Sequence, residues 1–315
     1  MSSLFRSIWP PLLLAVLWLL LAGLDASYLY RLASMALVFG LLAASANLIT
    51  GVAGMMTLGH AAFYGVGAYT AALLSSQCQF SPWLTLPLAG AAAALLGGLT
   101  AWLTRRLVNV HFAVATLGIG QAVYVTLLNW VDFTRGPMGI TDIAPLTHAR
   151  AAINLGLVML VFLLCYQLLD RMIHSYYGNA LRALREDEQC VAAMGLDPAK
   201  LKIQVMMVGC FIAGLAGALW AHSTRYVSPG DFRFSESITI LAMVVIGGLG
   251  SLPGAIMGAL LLTLLPELLR SLGDYRMLVV GSIMFGFIMF LPKGLIGEYA
   301  ALRVFRSHLK AQEQS

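Results

Sequence analysis

The chain is predicted to be an all-α, polytopic membrane protein of about ten transmembrane helices, and three observations predict it. Hydrophobic residues make up 60% of its 315 residues and charged residues only 10%, with a mean hydropathy of +0.85. That is more apolar surface than a water-soluble domain can hide. Apolar runs near the roughly 20 residues that cross a hydrocarbon core of about 30 Å recur from end to end. They leave no room for a soluble domain, so residues 1–315 are read as a single membrane domain. The third observation is one long charged stretch, 178–195, in the middle of the apolar sequence.

Taken in order, the first span is 7–24. Arg6 precedes it as in a signal peptide, but Leu24 and Asp25 stand where a small-x-small cleavage site belongs and more spans follow at once. It is read as an uncleaved helix. The next spans are 31–50, 55–75, 83–104, 111–131, 152–169 and 201–221, followed by the shorter 236–246, 253–269 and 277–291. The region 236–269 also fits a single broken span plus a re-entrant piece, which would move the C-terminus to the other side. The basic tail 298–315, with Arg303, Arg306 and Lys310, favours the cytoplasm. Placing 178–195 inside puts most of the nineteen Lys and Arg inside as well, so the positive-inside rule sets both termini in the cytoplasm. The net charge of +5 therefore sits in short loops that orient the chain, and no nucleic-acid partner is expected. Cys78, Cys165, Cys190 and Cys210 are scattered, so neither a disulfide framework nor a metal site is indicated.

The stretch 178–195 has helical periodicity. Leu181, Leu184, Val191 and Met194 fall near one face, and Arg182, Arg185, Glu186 and Gln189 on the other. With Asp187 and Glu188 it presents both signs of charge, which suits register with a complementary partner cleft. Ala192, Ala193 and Gly195 admit close approach, and Gly195 followed by Asp197 and Pro198 supplies a stop and a turn. A helix lying on the headgroups is the alternative, although mixed charge is a poor match for anionic lipid.

Glycine marks two regions. Gly51, Gly54, Gly59, Gly65 and Gly67 crowd the first; Gly247, Gly248, Gly250, Gly254 and Gly258 crowd the second, with Pro253 among them. Each region interrupts a span before a new helix begins, which implies broken or closely packed helices and fits a diverged internal duplication. Gly209, Ala213, Gly217 and Ala221 recur every four residues, a stripe for helix packing.

Residues that carry chemistry are scarce. No Gly-x-x-x-x-Gly-Lys-Ser/Thr phosphate loop occurs, so any ATP must be used by a partner. The span centres hold no Asp, Glu, Lys or Arg, which weakens an ion-coupled carrier, and paired carboxylates or a His cluster for an embedded enzyme are missing too. No cofactor is expected. Thr57, His60 and Tyr64 are predicted to share a helical face with Gly67, and Gln121 with Tyr124 to share another. Such uncharged polar faces suit the path of a net-neutral solute. A histidine hydrogen-bonded between helices is the competing reading for His60, and interhelical bonding competes equally at Gln121 and Tyr124. The outer loops 132–150 and 222–235 carry mixed charge that fits either a docked soluble protein or a solvated surface.

Several motifs in the same order carry a resemblance. TGVAGMMTLGHAAFYGVGAYTAALL from Thr50, HFAVATLGIGQ from His111, GPMGI after Arg135, IGGLGSLPGAIMGALL from Ile246 and PKGLIG from Pro292 resemble the LivM-type permeases of branched-chain amino-acid ABC transporters. The resemblance implies an ABC importer permease fold and import of branched-chain or similar neutral amino acids. It implies a second homologous permease as heterodimer partner, two ABC ATPase subunits that use the ATP, and a soluble substrate-binding protein, in a bacterial cytoplasmic membrane. It further implies that 170–200 is the coupling segment touching the ATPase, carried by Arg182, Arg185, Glu186, Asp187, Glu188, Ala192 and Gly195. Related permeases carry urea or short amides. Met55 and Met56 depart from the family pattern, as does Gln121, where an acid is frequent.

Overall fold

In the computed structural model, which describes residues 27–107, 109–147, 151–290 and 294–295, every regular element is helical apart from one isolated β-bridge. α1 (Ser27–Ala46) runs on into a π-helical turn (Asn47–Val52). There follow α2 (His60–Ser76), α3 (Pro82–Leu103), α4 (Asn109–Asn129), α5 (Ala151–Ile173), α6 (Tyr176–Glu186) and α7 (Glu188–Ala193). α8 (Pro198–Thr224), α9 (Phe234–Gly247), α10 (Leu252–Leu268) and α11 (Arg276–Phe290) complete the longer α-helices among the described residues, with short helical turns at Val131–Thr134, Gly136–Met138, Pro229–Phe232 and Arg270–Tyr275. Among the described residues, five segments have the length and apolarity to cross a membrane: Tyr28–Val52, Pro82–Leu103, Val110–Asn129, Ala152–Ile173 and Pro198–Thr224. Phe234–Gly247, Leu252–Leu268 and Leu278–Phe287 are shorter apolar helices. The expected first span, 7–24, and the tail, 298–315, lie outside the described residues.

α8 is the centre of the bundle and packs on α1, α2 and α3. Lipid tails are as apolar as leucine, so helices associate in a bilayer through close backbone approach rather than by hiding apolar surface. The small-residue stripe of α8 supplies that approach. A Cβ on Gly67 of α2 would run into the backbone of Gly214, and one on Gly217 would lie 2.7 Å from the nitrogen of Ala68. Gly209 meets the side chain of Ile49 in the same way.

Hydrogen bonds sort the helix termini into two ends. At one, the Ala144 amide donates to Ser75 Oγ at 3.1 Å, and His222 joins Thr85 Oγ1 at 2.7 Å to the carbonyl of Ala144 at 2.7 Å. The two loops expected on the outer side meet there, Ile140 and Val227 exchanging amide bonds of 2.9 and 3.1 Å. At the other end lie Gly51, Arg185, Gly250 and Leu295, joined by bonds described below. Successive long helices run between these ends in alternating directions.

Several expected boundaries change, two helices among them for clear reasons. The helix predicted from 55 starts at His60, because Gly54 takes a positive φ of 75° and the chain leaves the helical ladder. The freed amides find other acceptors: Ala53 and Met55 turn back to Leu48 and Ile49 at 3.2 and 3.0 Å, and Leu58 donates to Thr116 Oγ1 at 3.1 Å. Thr57 therefore sits in the unwound stretch and not on a helical face with His60. The helix predicted over 201–221 is longer at both ends, since Asp197 caps it and Pro198 occupies its first turn.

Candidate functional site

The charged stretch is two helices rather than one. Asp187, extended at φ −156° and ψ 114°, ends α6 and caps α7, accepting from the amides of Gln189 at 2.7 Å and Cys190 at 3.4 Å. The Cys190 thiol also donates to it at 3.3 Å, and these bonds, the thiol first, hold its carboxyl below the usual carboxylate range. In return the carboxylate pushes the thiol up. The break resets the helical phase. Leu181, Leu184 and Val191 are buried in the chain's own core, whereas Met194, expected on their face, is 66% exposed.

Of the residues expected to couple, Glu186, Asp187, Ala192 and Gly195 are exposed, and Arg182 is half-buried with Nη1 on Asn179 at 3.0 Å. Two others, the half-buried Glu188 and the exposed Arg185, are tied to the bundle by hydrogen bonds. Glu188 accepts from Lys202 Nζ at 2.7 Å, tying α7 to a nearly buried lysine on α8. Arg185 Nη1 donates at 2.7 Å to the carbonyl of Gly51 in the π-helical turn, and its stem packs on Gly54.

Both glycine-rich regions converge beneath Arg185. The Gly250 amide donates to Asn47 Oδ1 at 2.9 Å, joining the break after α1 to the break between α9 and α10. Gly51 permits this contact, since a Cβ there would collide with Asn47 Oδ1 and the Gly250 amide. Gly247 and Gly254 are in mutual backbone contact, Gly65 makes room for the Phe232 ring, and Gly248 takes φ 114°. Ser251 then caps α10, accepting from the Gly254 amide at 3.2 Å beside Pro253 in the first turn. The Leu295 amide donates to the Ile246 carbonyl at 2.8 Å and closes the cluster.

The residues expected along a path separate into two groups. Thr57, His60 and Tyr64 are each 1–2% exposed. His60 Nε2 bonds Ser45 Oγ on α1 at 2.8 Å, which is the interhelical arrangement, and the Tyr64 ring meets Phe232 edge-on at 4.9 Å. Gln121 instead lines a shallow groove with Leu58, Ala62, Leu117, Phe232 and Ser237, between α2, α4 and α9. Tyr124, one turn along α4, is half-buried and not part of that lining. Sequence reasoning missed Asn47, Lys202 and Ser237, whose hydroxyl holds the Ala61 amide at 3.0 Å. Asn47 did carry a signal, being a lone amide inside an apolar run, whereas Lys202 is one of two lysines at the start of its span.

Comparison with known proteins agrees with this architecture. A family model described as the permease component of the branched-chain amino acid transport system matches residues 28–291. The chain is 33% identical over 313 residues to the high-affinity branched-chain amino acid transport system permease protein LivM of Escherichia coli (strain K12), covering 90% of this chain and 73% of that protein. It is 33% identical over 293 residues to LivM of Salmonella typhimurium, covering 84% and 69%. To LivH of Escherichia coli (strain K12) it is 22% identical over 287 residues, covering 82% and 91%. No solved structure matches. With a match that runs from α1 to α11 of an all-helical fold, the chain belongs to the branched-chain amino acid transport system permease family.

Proposed function

We propose that this chain is the membrane-spanning permease subunit of an ABC importer, moving branched-chain or similar neutral amino acids across the bacterial cytoplasmic membrane with energy from separate ATPase subunits. The observation that carries the reading is the α6–α7 unit. Its apolar side is used up on the chain's own core through Leu181, Leu184 and Val191, so it moves with the bundle. Its opposite side leaves Glu186, Gln189, Ala192 and Gly195 open, mixed in charge and small in size, as a complementary ATPase cleft requires. The segment 170–200 is thus the coupling element of a single permease domain spanning 1–315, with the tail 298–315 and both termini on the cytoplasmic side.

A second homologous permease completes the path. Similarity to both LivM and LivH proteins supports a heterodimer of related subunits. The groove at Gln121 lies on α4, the least buried of the long helices, where a facing subunit would cover it. A soluble binding protein delivers the solute to the clipped outer loops, the ATPases close on nucleotide, and the bundles rock about the path. The chain itself breaks no bond.

Purified with its partner permease and ATPases in liposomes, it should take up leucine only with internal ATP and external loaded binding protein. Uptake driven by a proton or sodium gradient alone sinks the reading, and transport of urea in place of leucine moves the substrate class.

A further inference from the structure

Arg185 is exposed on the charged α6 helix, yet its guanidinium reaches in to a backbone carbonyl of the bundle. We propose that Arg185 is a positioning residue that passes movement of α6 to the membrane path by holding the Gly51 carbonyl of the π-helical turn, with the Asn47–Gly250 bond carrying the same movement to the break between α9 and α10. The proposal rests on the permease reading above.

Three observations support it independently. The Nη1–carbonyl bond of 2.7 Å is charge-assisted and short, so it resists sliding more than a neutral bond does. Gly54 stands at φ +75°, and a Cβ there would lie 2.7 Å from Arg185 Cγ, so the stem is seated in a cradle that any side chain would fill. The acceptor belongs to a π turn, a local insertion of one residue that recurs at functional sites. Reverting that turn to α geometry returns one residue of register, about 1.5 Å along α1. All six residues of the turn are buried, and Asn47, at its start, grips the Gly250 amide at 2.9 Å. A surface helix is therefore connected through one guanidinium to a buried turn, and through that turn to a second broken helix pair.

The test uses the reconstituted four-component system together with the detergent-solubilised chain alone. Arg185→Ala should assemble and hydrolyse ATP while solute imported per ATP falls by about tenfold, the scale of one charge-assisted bond. Arg185→Lys, which keeps a stem and a donor, should recover much of that ratio. In the isolated chain, Arg185→Ala should raise deuterium uptake across 47–55 and around Gly250 with no ATPase present. The proposal is overturned if the ratio is unchanged, if Arg185→Lys is as uncoupled as Arg185→Ala, or if Arg185→Ala sheds the ATPases while exchange at 47–55 stays protected. Should Arg185→Ala fail to insert, Arg185→Lys and Arg185→Gln are compared by the same exchange measurement, and equal protection in both and wild type overturns it. Absence of ATP-dependent uptake by the wild type would instead refute the permease reading, with the exchange result still judging the tether.

Discussion

His60 shows how one polar side chain inside a membrane bundle is held. Its Nε2 bonds Ser45 Oγ at 2.8 Å, linking α2 to α1 across a buried contact. Ser45→Ala should lower the melting temperature of the detergent-solubilised protein by the equivalent of about 1 kcal/mol, since interhelical bonds in membranes are worth little more. Leucine uptake should survive; a raised KM at unchanged melting temperature would place His60 on the solute instead. Gly67 gives a second case. Val in its place would force methyls into the Gly214 backbone, an overpacking cost of about 1–3 kcal/mol. A Gly67→Val chain as stable as the wild type would refute that close approach. At this scale the residue types were legible and the direction of the side chains was not. Arg185 belongs to the charged face by periodicity, yet its acceptor lies 134 residues away, beyond any local pattern.

Among the elements, the α6–α7 unit depends on one cap. The Asp187 carboxyl is held below the usual carboxylate range by the Cys190 thiol and the amides of Gln189 and Cys190. A depressed folded pKa means that the cap contributes fully above the ordinary carboxylate range, and that its contribution is lost as pH falls through that range to the lowered value. A nitroxide on Ala193 should therefore keep its restricted spectrum at mildly acidic pH and loosen only below that range. In Asp187→Asn, whose amide oxygen still accepts, the same label should show no such step; a step common to both variants would assign the loosening to another group. The break itself could be read from an acid placed before a short helix. What periodicity could not reveal was that one amphipathic pattern spans two helices, because a single extended residue shifts the phase without changing composition. The start of α2 was hidden for a similar reason, since the unwound stretch takes its hydrogen bonds from the π-helical turn before it and from Thr116 on α4 rather than from a continuing helical ladder.

For the whole molecule, the fold class was legible because bilayer length and backbone satisfaction admit few solutions, while the meeting of the two glycine regions required the tertiary structure. Cysteines report the proposed orientation. Cys78 and Cys190 are exposed and lie toward opposite ends, whereas Cys165 and Cys210 are buried. A membrane-impermeant maleimide should modify Cys78 in intact spheroplasts and Cys190 only in inverted vesicles, with Cys165 and Cys210 reacting after denaturation. Modification of Cys78 and Cys190 from one side would overturn the orientation. The bridge between Ile140 and Val227 has a mechanical consequence for such a molecule. It fastens two loops into one stiff rim, whereas the opposite end is interrupted by a π turn and by unwound glycines. On the proposed mechanism compliance is unequal along the bundle axis: displacement applied to α6 would be absorbed as rotation at the glycine breaks, while the bridged rim would keep its shape.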